Sequence, residues 1–190
     1  MSKKLTSAIE YLQAIMNEEG VNPTLELPEE LFHFVTTLIP CANVDLFITD
    51  SRHRLLLTWR DDRFYGRGWH IPGGCLRIQE TFENRIQETA RREIGTEVIY
   101  NPDSFITREA IVVKERPWLK NQLERSHNIS MLFDCRLPKM FRIKNNVANE
   151  HTVGFMKWFD SMPGDLLEVH RSLYGDLIQN FFEGKLTWKM

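Results

Sequence analysis

The segment from Trp69 to Gly95 constrains this chain more than any other. A short β-type run, Trp69-His70-Ile71, breaks at Pro72-Gly73-Gly74, and Thr81 then caps a helix that runs to Gly95. With Phe82 at zero and about 100° per residue, Ile86 falls at about 40°, Ala90 at about 80° and Glu93 at about 20°. A carboxylate therefore lies in the middle of the stripe that should face a core. An isolated carboxylate is expensive to desolvate. Glu93 needs an arginine, a proton or a metal ion beside it, or a frayed last turn that lets it reach water. Glu80 stands before the helix, in a loop that Gly73-Gly74 allows to turn sharply, so two carboxylates can approach one cation.

The flanking sequence supplies layers around this unit. Leu5, Ala8, Ile9, Leu12, Ile15 and Met16 predict an amphipathic helix over 4–19. Pro28 with Glu29 and Glu30 opens a second helix, which Pro40 stops. From Asn43 the period changes to that of strands. Runs 44–49 and 54–60, joined by Asp50-Ser51-Arg52-His53, read as a hairpin. Further strands are expected at 98–100, 105–114, 127–137 and 155–159. In 127–137, Ile129, Met131, Phe133, Cys135 and Leu137 alternate as one buried face. Leu166, His170, Leu173, Leu177 and Phe181 mark a closing helix that ends at Gly184. Helices at both ends of a mixed sheet imply an α/β/α sandwich, with residues 1–40 as an N-terminal helical extension and 41–190 as the domain proper.

Composition excludes several function classes. With 190 residues, 42% of them hydrophobic, the chain makes one globular domain. Its 24 basic and 26 acidic side chains, net charge −2, give no electrostatic footprint for nucleic acid. No apolar run nears the roughly 20 residues that cross a bilayer, so no membrane role is expected. The two lysines at the start lead into no apolar stretch, so the expectation is no secretory signal. Cys41, Cys75 and Cys135 are widely spaced without a Cys-x-x-Cys, which speaks against a disulfide framework or zinc site and for a cytoplasmic location.

The stretch Gly74 to Thr96 resembles the Nudix box, Gly-x5-Glu-x7-Arg-Glu-U-x-Glu-Glu-x-Gly-U with U aliphatic. Gly74, Glu80, Ala90, Glu93 and Gly95 match it, and Trp69-His-Ile-Pro-Gly-Gly74 resembles the family's usual approach to the box. Glu88 stands in place of the arginine, Thr89 and Arg92 in place of two glutamates, and Thr96 in place of the last aliphatic residue. The resemblance extends loosely over 43–160. It implies the Nudix α/β/α sandwich and hydrolysis of a nucleotide with Mg²⁺ or Mn²⁺. Because Arg92 and Thr89 remove carboxylates, a metal cluster is not expected; one ion is, held mainly by Glu93 with help from Glu150 or Glu80 and the Gly74 carbonyl. The thinned box is most similar to that of the GDP-mannose mannosyl hydrolases, which attack the sugar's anomeric carbon. That branch's first hairpin resembles Val44-Asp45-Leu-Phe-Ile with Leu55-Leu-Leu-Thr-Trp-Arg60, and its metal-and-base loop resembles Asn149-Glu150-His151. Two of its arginines have Cys75 and Glu88 in their places here; Arg77 or Arg91 is the candidate replacement.

From this resemblance the expected catalytic residues are His151 as general base, Glu80 and Glu93. Imidazole titrates near neutral pH, which suits such a base, while a loop histidine with no role is the plainer alternative. Asp45, Arg60, Arg67, Trp69 and Arg77 are the expected substrate contacts. Guanidinium forks pair with phosphate oxygens, though Arg60 and Arg67 also read as surface charge and Trp69 as core. The expected ligand is a small-molecule nucleotide, first a nucleotide sugar, then an ADP-ribose, dinucleotide or nucleoside triphosphate cut at phosphorus. A homodimer is expected from analogy, and a domain that binds a nucleotide without cutting it is the other reading.

Overall fold

The computed structural model describes residues 2–188. Two helices come first, α1 (Lys3–Glu18) and α2 (Glu29–Val35). Then follow β1 (Cys41–Ile48), β2 (Leu55–Asp62), β3 (Gly66–His70), β4 (Gly73–Cys75), α3 (Phe82–Glu93), β5 (Ile99–Ile111), β6 (His127–Arg136), β7 (Met156–Phe159) and α4 (Glu168–Phe182). One mixed sheet has the order β4-β1-β6-β5, with β1 and β6 parallel; an antiparallel sheet has the order β3-β2-β7.

The side-chain period builds the layers. Val44, Leu46 and Ile48 of β1 join Leu56, Ile86, Ala90 and Ile94 in the core beneath α3. Phe47, Leu55, Leu57, Trp59 and Trp69 join Tyr174, Leu177, Ile178 and Phe181 in the core beneath α4. Alternate residues thus serve opposite helices, which is the expected α/β/α sandwich. Thr81 caps α3 as expected, its hydroxyl accepting from the Asn84 N–H. Both glycines before α3 are set by packing. A Cβ on Gly73 would lie 1.9 Å from Asp45 Oδ1, and one on Gly74 2.7 Å from Thr89 Oγ1.

Three expectations are corrected. Runs 44–49 and 54–60 are not a hairpin, because both edges of β1 are taken by β4 and β6; β1 and β2 keep one bridge, Thr49 to Leu55. The strands at 98–100 and 105–114 are one strand, β5, whose pairing slips between Tyr100 and Phe105, around Pro102. In β6 the buried face changes along the strand: Asn128 and Ser130 are buried while Ile129 is exposed. Polar groups go inside there because they have partners, Asn43 and Tyr65 for Asn128.

Candidate active site

Glu93, the last residue of α3, keeps 19% of its side chain exposed and faces a guanidinium and an imidazole. Its Oε1 accepts from Arg92 Nη2 at 2.8 Å, and its Oε2 lies 3.4 Å from His70 Nε2. The same Arg92 nitrogen donates to the Gly73 carbonyl at 2.9 Å. His70 Nδ1 is 2.8 Å from the Thr58 carbonyl, which can only accept, so Nδ1 carries a proton. Burial pushes the Glu93 carboxyl up, but His70 and Arg92 outweigh it and hold it below its ordinary value.

Glu80 sits between β4 and α3 in the grip of Arg85. The guanidinium donates to both carboxylate oxygens at 2.8 and 2.7 Å, and the Arg77 N–H adds a bond at 3.0 Å. Burial raises the Glu80 carboxyl, and these donors more than reverse it. Arg85 is thus the partner of Glu80 on this helix, whereas Glu88 stands at the position of the box arginine. It lies three residues before Glu88, on the same helical face, and that one-turn spacing was the signal available in the sequence.

Residues Thr24, Leu25 and Glu26, between α1 and α2, lie over this unit. They close a cleft of about 360 Å³ whose other wall is Arg77, Glu80, Arg85, Glu88 and Arg92. Arg77 meets Glu26 across the cleft at 3.6 Å. Sequence reasoning missed residues 24–26, which carry no motif.

Other expected residues lie elsewhere. Directly opposed residues of an antiparallel pair share a sheet face. Thr58 and His70, beside Glu93, are one such pair of β2 and β3; Trp59 and Trp69 are the next, on the opposite face. His151 is exposed, with its ring 4.5 Å from the Trp59 ring and its Nε2 3.8 Å from Asp165 Oδ2. It is thus across the β2–β3 ribbon from the His70–Glu93 pair. Trp69 is 2% exposed and edge-on to Trp59, so it fills core and offers no stacking face. Asp45 is buried, accepting from the Tyr174 hydroxyl of α4. Desolvation pushes its carboxyl up to about 6, against hydrogen bonds from Tyr174 and Ser130. Arg60 pairs with Asp62 and stacks on Tyr65, and Arg67 is exposed opposite Asp61. Of the five expected substrate contacts, the structure puts Arg77 in the cleft.

A loop–helix unit set against a mixed sheet between two helices defines an α/β fold with an acidic–basic cleft at one helix. The NUDIX domain family matches residues 40–175, and the chain belongs to that family, the Nudix hydrolases. A Nudix hydrolase from Nitrosomonas europaea has the same fold at 18% identity and a TM-score of 0.52, over 76% of this chain and 71% of that one. A UDP-X diphosphatase aligns at 17% identity over 98% of this chain and 87% of that one, with a TM-score of 0.48. The low-salt glycan biosynthesis protein Agl8 of Haloferax volcanii is 28% identical over 87 residues, 45% of this chain. The matched region is 54% of that relative, so the chain spans about half its length. Among the described residues no helix is long and apolar enough to cross a membrane.

Nudix hydrolases generally use divalent ions such as Mg²⁺. The residues here do not fit a resident one. Among the described residues no group of three or more His, Cys, Asp or Glu side chains converges to hold a metal. Gly74, Glu93 and Glu150 are not assembled as ligands: Glu150 is half-buried and pairs with Lys157 at 2.6 Å. Glu93 meets Arg92 with one oxygen and His70 with the other, and Glu80 is satisfied by Arg85. A guanidinium already holds the Gly73 carbonyl and Glu93 together, and a second cation there would be repelled.

Proposed function

We propose that the protein hydrolyses a nucleoside diphosphate linked to another moiety, with nucleotide sugars of the GDP-mannose type as the first class to test. The observation that carries this is the cleft of about 360 Å³ between residues 24–26 and the box, with Arg77 and Arg92 in its walls. Guanidinium groups suit diphosphate oxygens, and a diphosphate would replace Glu26 at Arg77. The same groups stabilise the charge that builds on the leaving phosphate. Glu93, held ionised, orients the attacking water and takes its proton. The thinned box supports a nucleotide sugar, as does the Haloferax relative, whose name places that protein in glycan biosynthesis.

Cleavage at the sugar carbon, releasing sugar and nucleoside diphosphate, requires His151 as base. Its place across the ribbon favours the second reading, attack at phosphorus with Glu93 as base. Mg²⁺ in this proposal arrives as the counter-ion of the diphosphate. A homodimer in the cytoplasm, with no nucleic acid or membrane partner, completes the proposal; light scattering of the pure protein checks the first.

The test is incubation with nucleotide sugars, ADP-ribose, dinucleotides and nucleoside triphosphates in ¹⁸O-water. Label in the phosphate shows attack at phosphorus, and label in the sugar shows attack at carbon with His151 as base. Glu93→Gln should lower turnover by at least about a hundredfold, the scale of a positioned acid or base. Binding without turnover of any compound, or undiminished Glu93→Gln activity, would defeat this reading.

A further inference from the structure

We propose that Arg92 is the resident cation of this site, a guanidinium built into the chain where a divalent ion would otherwise join Glu93 to the glycine turn. The proposal deepens the assignment of the cleft and rests on it. Arg92 Nη2 spends its two hydrogens on the Gly73 carbonyl at 2.9 Å and Glu93 Oε1 at 2.8 Å. A guanidinium has five N–H donors in a fixed plane. Three remain, on Nε and Nη1, and no partner takes them among the described residues. The side chain is 49% exposed and lines the cleft. Arg92 is thus anchored by one nitrogen and leaves its Nε–H and Nη1–H donors to solvent.

This arrangement divides a metal ion's work among covalently fixed groups. Nη2 neutralises Glu93 and ties α3 to the first residue of β4. The free Nε–H and Nη1–H groups point in different directions, and each can donate a single charge-assisted hydrogen bond to a phosphate oxygen. His70 closes the other side of Glu93 at 3.4 Å. The charge at this point is therefore compensated before any ligand arrives. The replacement of a box glutamate by arginine is then a substitution of one cation source for another. Arg92 is the group that meets the diphosphate.

Two probes test this without substrate turnover, so failure here is distinguishable from failure of the proposed hydrolysis. The first is Mn²⁺ alone, followed by the electron paramagnetic resonance signal of the free ion. The unmodified protein should show no Mn²⁺ site that depends on Glu93. Arg92→Glu, which leaves two carboxylates and the Gly73 carbonyl facing one another, should bind about one Mn²⁺ at least roughly thirtyfold more tightly, since oxygen-ligand charge sets such affinities. Adding Glu93→Gln should abolish the gain. The second probe is inorganic pyrophosphate in EDTA, measured by calorimetry. Arg92→Gln should weaken it about tenfold, the worth of one charge-assisted hydrogen bond. Mn²⁺ binding by the unmodified protein that Glu93→Gln removes, Arg92→Glu without a gain, or pyrophosphate binding indifferent to Arg92→Gln would overturn the assignment. Circular dichroism confirms that each variant folds; position 92 is half-exposed on its helix.

Discussion

At the scale of single residues, the site is a set of carboxylates whose meaning depends on their partners. Glu80 and Arg85 are 11% and 5% exposed, and removing one leaves the other desolvated without its counter-charge. Arg85→Ala should destabilise the fold by about 3 kcal/mol at pH 7, measured by urea unfolding. Because the folded Glu80 carboxyl is held low, its contribution is complete above the unfolded value and lost as pH falls through the folded one. The penalty of Arg85→Ala should therefore shrink in acid; a constant penalty would refute the pairing. Asp45 works with the opposite sign. Its carboxyl is pushed up to about 6 from 3.8, so the native state binds the extra proton and stability falls as pH rises from about 4 to 6. Asp45→Asn keeps an acceptor for Tyr174 and should flatten that window, gaining up to about 3 kcal/mol at pH 7, two pKa units' worth. Glu93 was legible from the sequence because its angle on the helix put charge in an apolar stripe. Its partners were not: Arg92 is its chain neighbour, and only a rotamer decides whether that guanidinium turns inward, while His70 arrives from another strand.

At the scale of elements, α3 was the most legible, since a cap, an apolar stripe and a terminal glycine all agree within one segment. Strands were legible as strands and less so as partners. The loop at 50–53 looks like a hairpin turn because short polar loops between apolar runs usually are, yet β1 has no free edge for β2. The face reversal in β6 has the same origin, because Asn128 goes inside only where Asn43 and Tyr65 wait for it. The two N-terminal helices differ in kind. Helix α2 buries His33, and Thr36 after it accepts the Arg125 N–H at 3.1 Å. Helix α1 buries no residue, although Leu5, Ile9, Tyr11, Leu12 and Ile15 are apolar. Deleting residues 1–18 should therefore shift the thermal midpoint by less than about 2 °C, since surface changes seldom exceed half a kcal/mol. A loss above about 5 °C in a circular-dichroism melt would show that α1 is covered in solution.

At the scale of the whole molecule, the proposed site depends on segments far apart in sequence meeting at one helix. The box brings Glu80 and Glu93; the link between α1 and α2 brings Glu26; β3 brings His70. The sequence by itself determined the family, the layered fold and the position of α3, because periodicity, caps and glycine turns act within a few residues. It also determined that Glu93 needs compensation, since desolvation depends only on which face a residue takes. Only the tertiary structure decided what compensates it. Whether a carboxylate meets a metal, a histidine or an arginine is fixed by side chains converging in space, and spacing along the chain does not carry that information. The same holds for His151, whose sequence neighbourhood suits a base but whose strand neighbours set it across the ribbon, because adjacent residues of a strand point to opposite sides.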